Sequence, residues 1–149
     1  MILGFQSRFV EGICDQDGRN WLILTPVVYL SKNGNIYIIP RGTSTDGAST
    51  PSIIWTKLPP FGDYWQSAVL HDSAYKNQLL VWPAGSMPDG IPITHEMTTT
   101  LAKANLSKDD CDNLLKEAME LSGVEQRIID IIYEGVHLCG ASSYKEDRS

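Results

Sequence analysis

Residues 20–39, NWLILTPVVYLSKNGNIYII, decide the fold class of the first part of the chain. Segments 20–29 and 35–39 of this stretch are rich in β-branched and aromatic residues, which favour strands. The dipeptide Asn33-Gly34 lies between them and tolerates the positive φ angles of a tight hairpin turn. The stretch therefore predicts two antiparallel strands, and residues 4–13 are predicted to add another strand to a small sheet.

The second half of the chain has the apolar spacing of helices. Three main helices are predicted at 63–80, 107–122 and 124–139, and a short one at 94–104. Ser107 with Asp110 three residues later resembles a capping box, which predicts that a helix begins there. The predicted fold class is therefore α+β, a small N-terminal antiparallel sheet packed against a C-terminal bundle of about three helices.

The 149 residues are predicted to form a single domain, because they match the usual domain size and are 42% hydrophobic. Within it we expect four segments along the chain: β-rich 1–40, an ordered loop at 41–60, helical 61–140 with an insertion at 81–106, and a polar tail at 141–149. The formal net charge of -6 disfavours nucleic acid as a partner. No apolar run approaches the roughly 20 residues of a membrane span, so no transmembrane segment is predicted.

The predicted helix 63–80 carries polar side chains on a face that is otherwise apolar. Asp72 falls between Ala68 and Tyr75 on this face, and His71 lies at its edge. An inward carboxylate costs several kcal/mol unless it is paired, hydrogen-bonded or bound to a cation. The Tyr75 hydroxyl, a backbone amide, a basic group or a metal ion are all possible partners.

A second carboxylate, Asp112, lies at the border of the apolar stripe on the helix 107–122. If the two helices pack together, His71 meets Asp112, and a histidine oriented by a carboxylate can act as a general base. Asp72 would then be free to hold a divalent cation, completed by Asp46 of the loop sequence TDGAS. Alternatively, Asp46 only anchors its loop, and the helix residues form a structural network of buried hydrogen bonds.

The motifs resemble a known family. The loop sequence TDGASTP at 45–51, the helix sequence HDSAY at 71–75 and the sequence SKDDCDNLLKEAMELSGV at 107–124 are similar to those of the family called domain of unknown function thirteen fifty-three. The resemblance covers roughly residues 20–140. It implies a small protein of tailed bacteriophages or prophages. The chain departs from the family pattern in the insertion and at Lys108, where the family usually has arginine.

A second and more local resemblance concerns the site. The sequence HDSAYKN is similar to the His-Asp-x-x-Tyr helix of phospholipases of the A-two type. This resemblance implies that His71 is the general base, that Asp72 binds Ca2+, that Asp112 orients the histidine and that Tyr75 hydrogen-bonds within the site. The chain has no clear glycine-rich calcium loop.

Two functions are therefore expected from the sequence. The first is a virion or tail-associated structural or assembly component, with other phage structural proteins or the host envelope as partners and with a buried His-Asp-Tyr network. The alternative is a cation-dependent, phospholipase-like ester hydrolase that acts at the host envelope. In both cases the expected location is the host cytoplasm at synthesis, and for the first also the virion.

Overall fold

The computed structural model describes residues 2–7, 9–14, 16, 20–45, 64–82, 93–139 and 144. All structural statements below concern these residues. Asp46 and most of the predicted loop 41–60 lie outside them. So do the middle of the predicted insertion and, apart from Tyr144, the predicted polar tail.

Within these residues the chain forms strands followed mainly by helices. The strands are β1 (Gly4–Phe5), β2 (Gly12–Cys14), β3 (Trp21–Ile23), β4 (Val27–Leu30), β5 (Ile36–Ile39), β6 (Ser44–Thr45), β7 (Leu80–Trp82) and β8 (Ala102–Lys103). The helices are α1 (Trp65–Tyr75), α2 (His95–Thr98), α3 (Lys108–Leu121) and α4 (Gln126–Cys139). The α+β class is confirmed.

The strands form two antiparallel sheets. The larger has the order β1-β4-β5-β7-β8, and the smaller has the order β2-β3-β6. The predicted hairpin is confirmed: β4 pairs with β5 from Val27–Ile39 to Leu30–Ile36, and Gly34 has a φ of 89° in the turn. The segment 20–29, however, is two strands in different sheets. Pro26 lies at the break, where it has no N–H to donate to a sheet.

The second half of the chain adds strands to the larger sheet that the sequence pattern did not predict. The helix expected at 63–80 ends at Tyr75, and Asn77 takes a left-handed φ of 53° before the chain enters β7. Strand β7 pairs with β5 and with β8. The helix expected at 94–104 is only the short α2, because residues 102–103 pair with β7 instead. The two ends of the predicted insertion therefore belong to the sheet.

Helix α3 begins and ends as expected. The Ser107 hydroxyl accepts a 3.1 Å hydrogen bond from the backbone N–H of Asp110, and Gly123 follows the helix with a φ of 77°. The buried face of α3 contains Cys111, Leu114, Leu115, Ala118 and Met119. One part of this face packs with the strands and α1, and the other packs with α4.

Helix α1 lies in the core. Every residue from Ser67 to Tyr75 is buried, so the helix has no solvated face over this stretch. Its apolar side chains, such as Val69 and Leu70, pack with Tyr29 and Ile39 of the sheet and with residues of α3. The polar residues of α1 are therefore enclosed by the protein and need partners within it. None of the described helices has the length and apolar character of a membrane span.

Candidate functional site

The core encloses four of the five residues that the sequence singled out. His71, Asp72 and Tyr75 on α1 and Asp112 on α3 all have 0% exposed surface. The fifth, Asp46, lies outside the described residues. The site is built where α1 and α3 pack against each other, because that contact puts the polar edge of each helix against the other.

Asp112 receives three hydrogen bonds at its carboxylate. His71 Nε2 lies 2.8 Å from Oδ1, and the Tyr75 hydroxyl donates to the same oxygen at 2.7 Å. Lys108 Nζ donates to Oδ2 at 2.7 Å. His71 and Tyr75 reach the same oxygen because residues four apart lie on one face of a helix. The predicted meeting of His71 and Asp112 and the buried His-Asp-Tyr network are therefore confirmed.

The three donors determine the ionisation of the cluster. Burial alone would raise the pKa of Asp112, but the hydrogen bonds from His71, Lys108 and Tyr75 outweigh it and hold that pKa below its ordinary value. Burial and the bond to Asp112 raise the pKa of Tyr75 far above its ordinary value of 10.0. Asp112 is therefore an anion near neutral pH, and Tyr75 keeps its proton and donates it.

This ionisation fixes the tautomer of a neutral His71. Because Asp112 is an acceptor without a proton, His71 Nε2 carries the hydrogen of the bond that joins them. The other ring nitrogen, Nδ1, is buried and has no hydrogen-bond partner among the described residues. The Tyr75 ring packs beside the imidazole, with 4.1 Å between the ring centroids. The His71–Asp112 bond therefore leaves the lone pair of Nδ1 to accept a proton, as a general base requires.

Asp72, which follows His71 in the chain, faces a different set of groups. The Thr45 hydroxyl donates to its Oδ2 at 2.6 Å, and Lys76 Nζ lies 3.1 Å from the same oxygen. These groups are donors, whereas Ca2+ needs six to eight oxygen ligands. The described surroundings of Asp72 thus provide an ammonium group that balances its charge. The pairing of Asp72 with Asp46 at a metal stays a prediction.

Lys108 connects the site to the last helix. Its ammonium also donates to the backbone carbonyls of Val136 and His137, both at 3.2 Å, near the C-terminal end of α4. The carboxylates of Asp109 and Asp112 and the ring of His137 bring ligand atoms within 4.8 Å of one another. Lys108 Nζ already lies 2.7 Å from Asp112 Oδ2 in this group, and its positive charge disfavours a metal ion beside it.

A cavity of about 850 Å3 reaches Thr45, whereas His71, Tyr75 and Asp112 are not among its described lining residues. Thr45, which donates to Asp72, is one of its lining residues, and Val69 of α1 is another. The remaining wall is partly apolar and includes large exposed side chains of the N-terminal segment and of α1, namely Ile2, Leu3, Phe9 and Trp65. Among the described residues, the cavity therefore meets the contacts of Asp72 through Thr45 and is not lined by the His71–Asp112 pair.

Three donors to the two buried carboxylates were not expected from the sequence, namely Thr45 and Lys76 at Asp72 and Lys108 at Asp112. Both lysines had a detectable signal. Lys76 stands four residues after Asp72, and Lys108 stands four residues before Asp112, which is the spacing of a helix ion pair. Thr45 had no such signal, because it lies in a distant strand.

Comparison with known proteins supports a family assignment and nothing finer. The family model described as "Protein of unknown function (DUF1353)" matches residues 21–136. Neither a curated protein nor a solved structure matches the chain. The comparisons therefore carry no statement on phage origin, on ester hydrolysis or on partners. Because the family model covers most of the 149 residues, the chain belongs to the DUF1353 family.

Proposed function

We propose that this protein is an ester hydrolase in which His71 is the general base and Asp112 orients it. The proposal rests on the difference between the surroundings of the two imidazole nitrogens of His71. Nε2 is held by an ionised carboxylate at 2.8 Å, while Nδ1 is buried and has no partner in the part of the chain that the structure describes. A histidine with a purely structural role would be expected to use both nitrogens, because an unsatisfied buried polar atom costs about 1–3 kcal/mol.

The other two donors to Asp112 support this role. Tyr75 and Lys108 hold the carboxylate in place and keep it ionised, so it remains an acceptor for Nε2–H when His71 takes up a proton. A carboxylate that stays ionised stabilises the imidazolium formed during general-base catalysis. We assign Tyr75 and Lys108 as positioning residues in the proposed reaction.

The cavity indicates the kind of ester. Its volume of about 850 Å3 falls in the range of small-molecule sites, and its wall combines polar groups with large apolar side chains such as Phe9 and Trp65. We therefore propose an ester with an apolar acyl chain, such as a lipid of the host envelope. His71 and Asp112 have no exposed surface, so the reaction requires a conformation in which a substrate reaches Nδ1.

The proposed reaction contains no calcium step. The ammonium of Lys76 lies at Asp72 Oδ2, where the local resemblance to phospholipases implies the metal. We propose that Lys76 and Thr45 balance and anchor the Asp72 carboxylate, and that Asp72 connects α1 to the strand β6 at the edge of the cavity.

The test is hydrolysis of para-nitrophenyl butyrate and of phosphatidylcholine in mixed micelles by the purified protein. His71→Gln keeps an amide donor for Asp112 and removes the base, so turnover should fall by roughly a hundredfold or more. His95→Gln, at an exposed histidine of α2, is the matched control and should keep wild-type turnover. Equal turnover of both variants, or no turnover by the wild type, would refute the proposal.

A second candidate is a structural or assembly protein of a tailed phage, and the burial of the network favours it. Lys108 links α3 to the carbonyls of α4, and Thr45 links α1 to a strand, so the same contacts also brace the fold. In this case the partners are other phage structural proteins, and the protein moves from the host cytoplasm into the virion. Mass spectrometry of purified phage particles tests it: the protein is retained in the particles if this candidate is right and absent if it is wrong.

A further inference from the structure

Helix α1 has a second buried polar atom without a partner. Ser67 has 0% exposed surface, and its Oγ makes no hydrogen bond to any residue that the structure describes. Ser67 stands four residues before His71, so the two side chains lie on the same side of the helix with Cβ atoms about 6 Å apart. Among the buried side-chain atoms of the described residues, these are the two on α1 that lack a partner.

The neighbouring Ser73 shows what a buried helix serine ordinarily does. Its hydroxyl donates to the backbone carbonyl of Val69, four residues earlier, at 2.9 Å. Ser67 makes no such bond, although it is equally buried. Two unsatisfied polar atoms one turn apart are each destabilising in a buried position, unless a polar molecule lies between them.

We propose that Ser67 Oγ and His71 Nδ1 together bind one water molecule, and that this water is the nucleophile of the reaction. Ser67 and His71 are not bonded to each other, and a water molecule is the smallest group that can join them. The water site stands on the two unpartnered atoms alone, while its role as nucleophile rests on the proposed function. Ser67 is then a positioning residue.

The chemistry of the proposed step is balanced. The water oxygen forms a bond to the acyl carbon of the ester while one of its protons passes to His71 Nδ1. The acyl C–O bond then breaks, and the proton on Nδ1 passes to the alkoxide that leaves. The products are a carboxylic acid and an alcohol. Ser67 holds the water through its hydroxyl, so that the oxygen lone pair is directed at the acyl carbon.

The experiment compares Ser67→Ala with Ser73→Ala, a matched control at an equally buried serine of the same helix. High-resolution crystal structures should show a water within about 3.2 Å of both Ser67 Oγ and His71 Nδ1 in the wild type. That water should be displaced or lost in Ser67→Ala, and the nitrogen NMR signal of His71 Nδ1 should shift. For para-nitrophenyl butyrate, kcat should fall at least tenfold in Ser67→Ala with KM nearly unchanged, whereas Ser73→Ala should keep the wild-type kcat.

Each result decides one part of the proposal. A direct bond between Ser67 and His71, or a dry space between them, would overturn the water site. A water that is present while Ser67→Ala hydrolyses the ester at the wild-type rate would overturn its role as nucleophile. If the water is present and the wild type hydrolyses no ester, the water site is supported, and both the nucleophile role and the hydrolase proposal are overturned.

Discussion

Replacing Asp112 by alanine should destabilise the protein by about 4 kcal/mol. Asp112→Ala leaves the Tyr75 hydroxyl and the His71 Nε2–H buried without an acceptor, at about 1–3 kcal/mol each. Lys108 is 20% exposed and keeps two backbone carbonyls, so water and these carbonyls compensate part of its loss. Since single domains have a free energy of unfolding of about 5–15 kcal/mol, the variant should still fold.

Urea unfolding monitored by tryptophan fluorescence and by circular dichroism measures this effect. With an m-value of about 2 kcal/mol/M, the midpoint should fall by about 2 M while m stays constant. Asp112→Asn retains an acceptor oxygen for His71 and Tyr75 but not the charge opposite Lys108, so it should lose less. Asp109→Asn, on the exposed side of α3, should change stability by no more than about 0.5 kcal/mol.

The loss should also depend on pH with a definite sign. The pKa of Asp112 is lower in the folded protein than its ordinary value of 3.8. The carboxylate therefore contributes its full stabilisation of the fold above pH 3.8. It is lost as the pH falls from 3.8 through the lowered folded pKa. The difference between wild type and Asp112→Asn should therefore shrink in acid. A difference of less than 1 kcal/mol between Asp112→Ala and wild type at neutral pH, or one that grows on acidification, would refute the reasoning.

Three further predictions concern the neighbouring groups. Thr45→Val removes a 2.6 Å bond to the buried Asp72 carboxylate and should cost about 2 kcal/mol in urea unfolding, whereas Thr25→Val, at an exposed threonine, should cost little; equal losses would contradict the assignment. Burial raises the pKa of Tyr29 and Tyr75 in the folded protein. The stabilisation that these two protonated phenols contribute should therefore be complete below pH 10.0 and fall above it. In an absorbance titration these two phenols should ionise only as the protein unfolds; their ionisation in the folded protein would contradict this. Calorimetric titration with Ca2+ should show no specific binding, and a one-site isotherm that Asp72→Asn abolishes would contradict this prediction by placing the metal at Asp72.

The sequence predicted those parts of the fold that depend on local chemistry. The hairpin of β4 and β5 follows from Asn33-Gly34, and the start of α3 follows from Ser107, because turn and cap preferences act within a few residues. Strands β7 and β8 were missed, since they are two or three residues long and form by pairing with distant segments. Such pairing is a tertiary effect that overrides local propensity.

The candidate site was partly predictable for a similar reason. His71, Asp72 and Asp112 were recognisable as polar residues on or beside apolar helix faces, and burial in the core confirmed that they need partners. Which partners they have depends on how α1 and α3 pack, which helix periodicity does not specify. The ion pair of Asp72 with Lys76 was not expected, and it gives the carboxylate a cationic partner from its own helix.

The central claim is that Asp112 fixes the proton of His71 on Nε2 and leaves the Nδ1 lone pair for catalysis. Nitrogen NMR of the two imidazole nitrogens of His71 in the folded protein, at a pH where the ring is neutral, tests this most directly. The account predicts a protonated Nε2 coupled to its hydrogen and an unprotonated Nδ1, with the preference lost in Asp112→Ala. A neutral ring that carries its proton on Nδ1 would contradict the account.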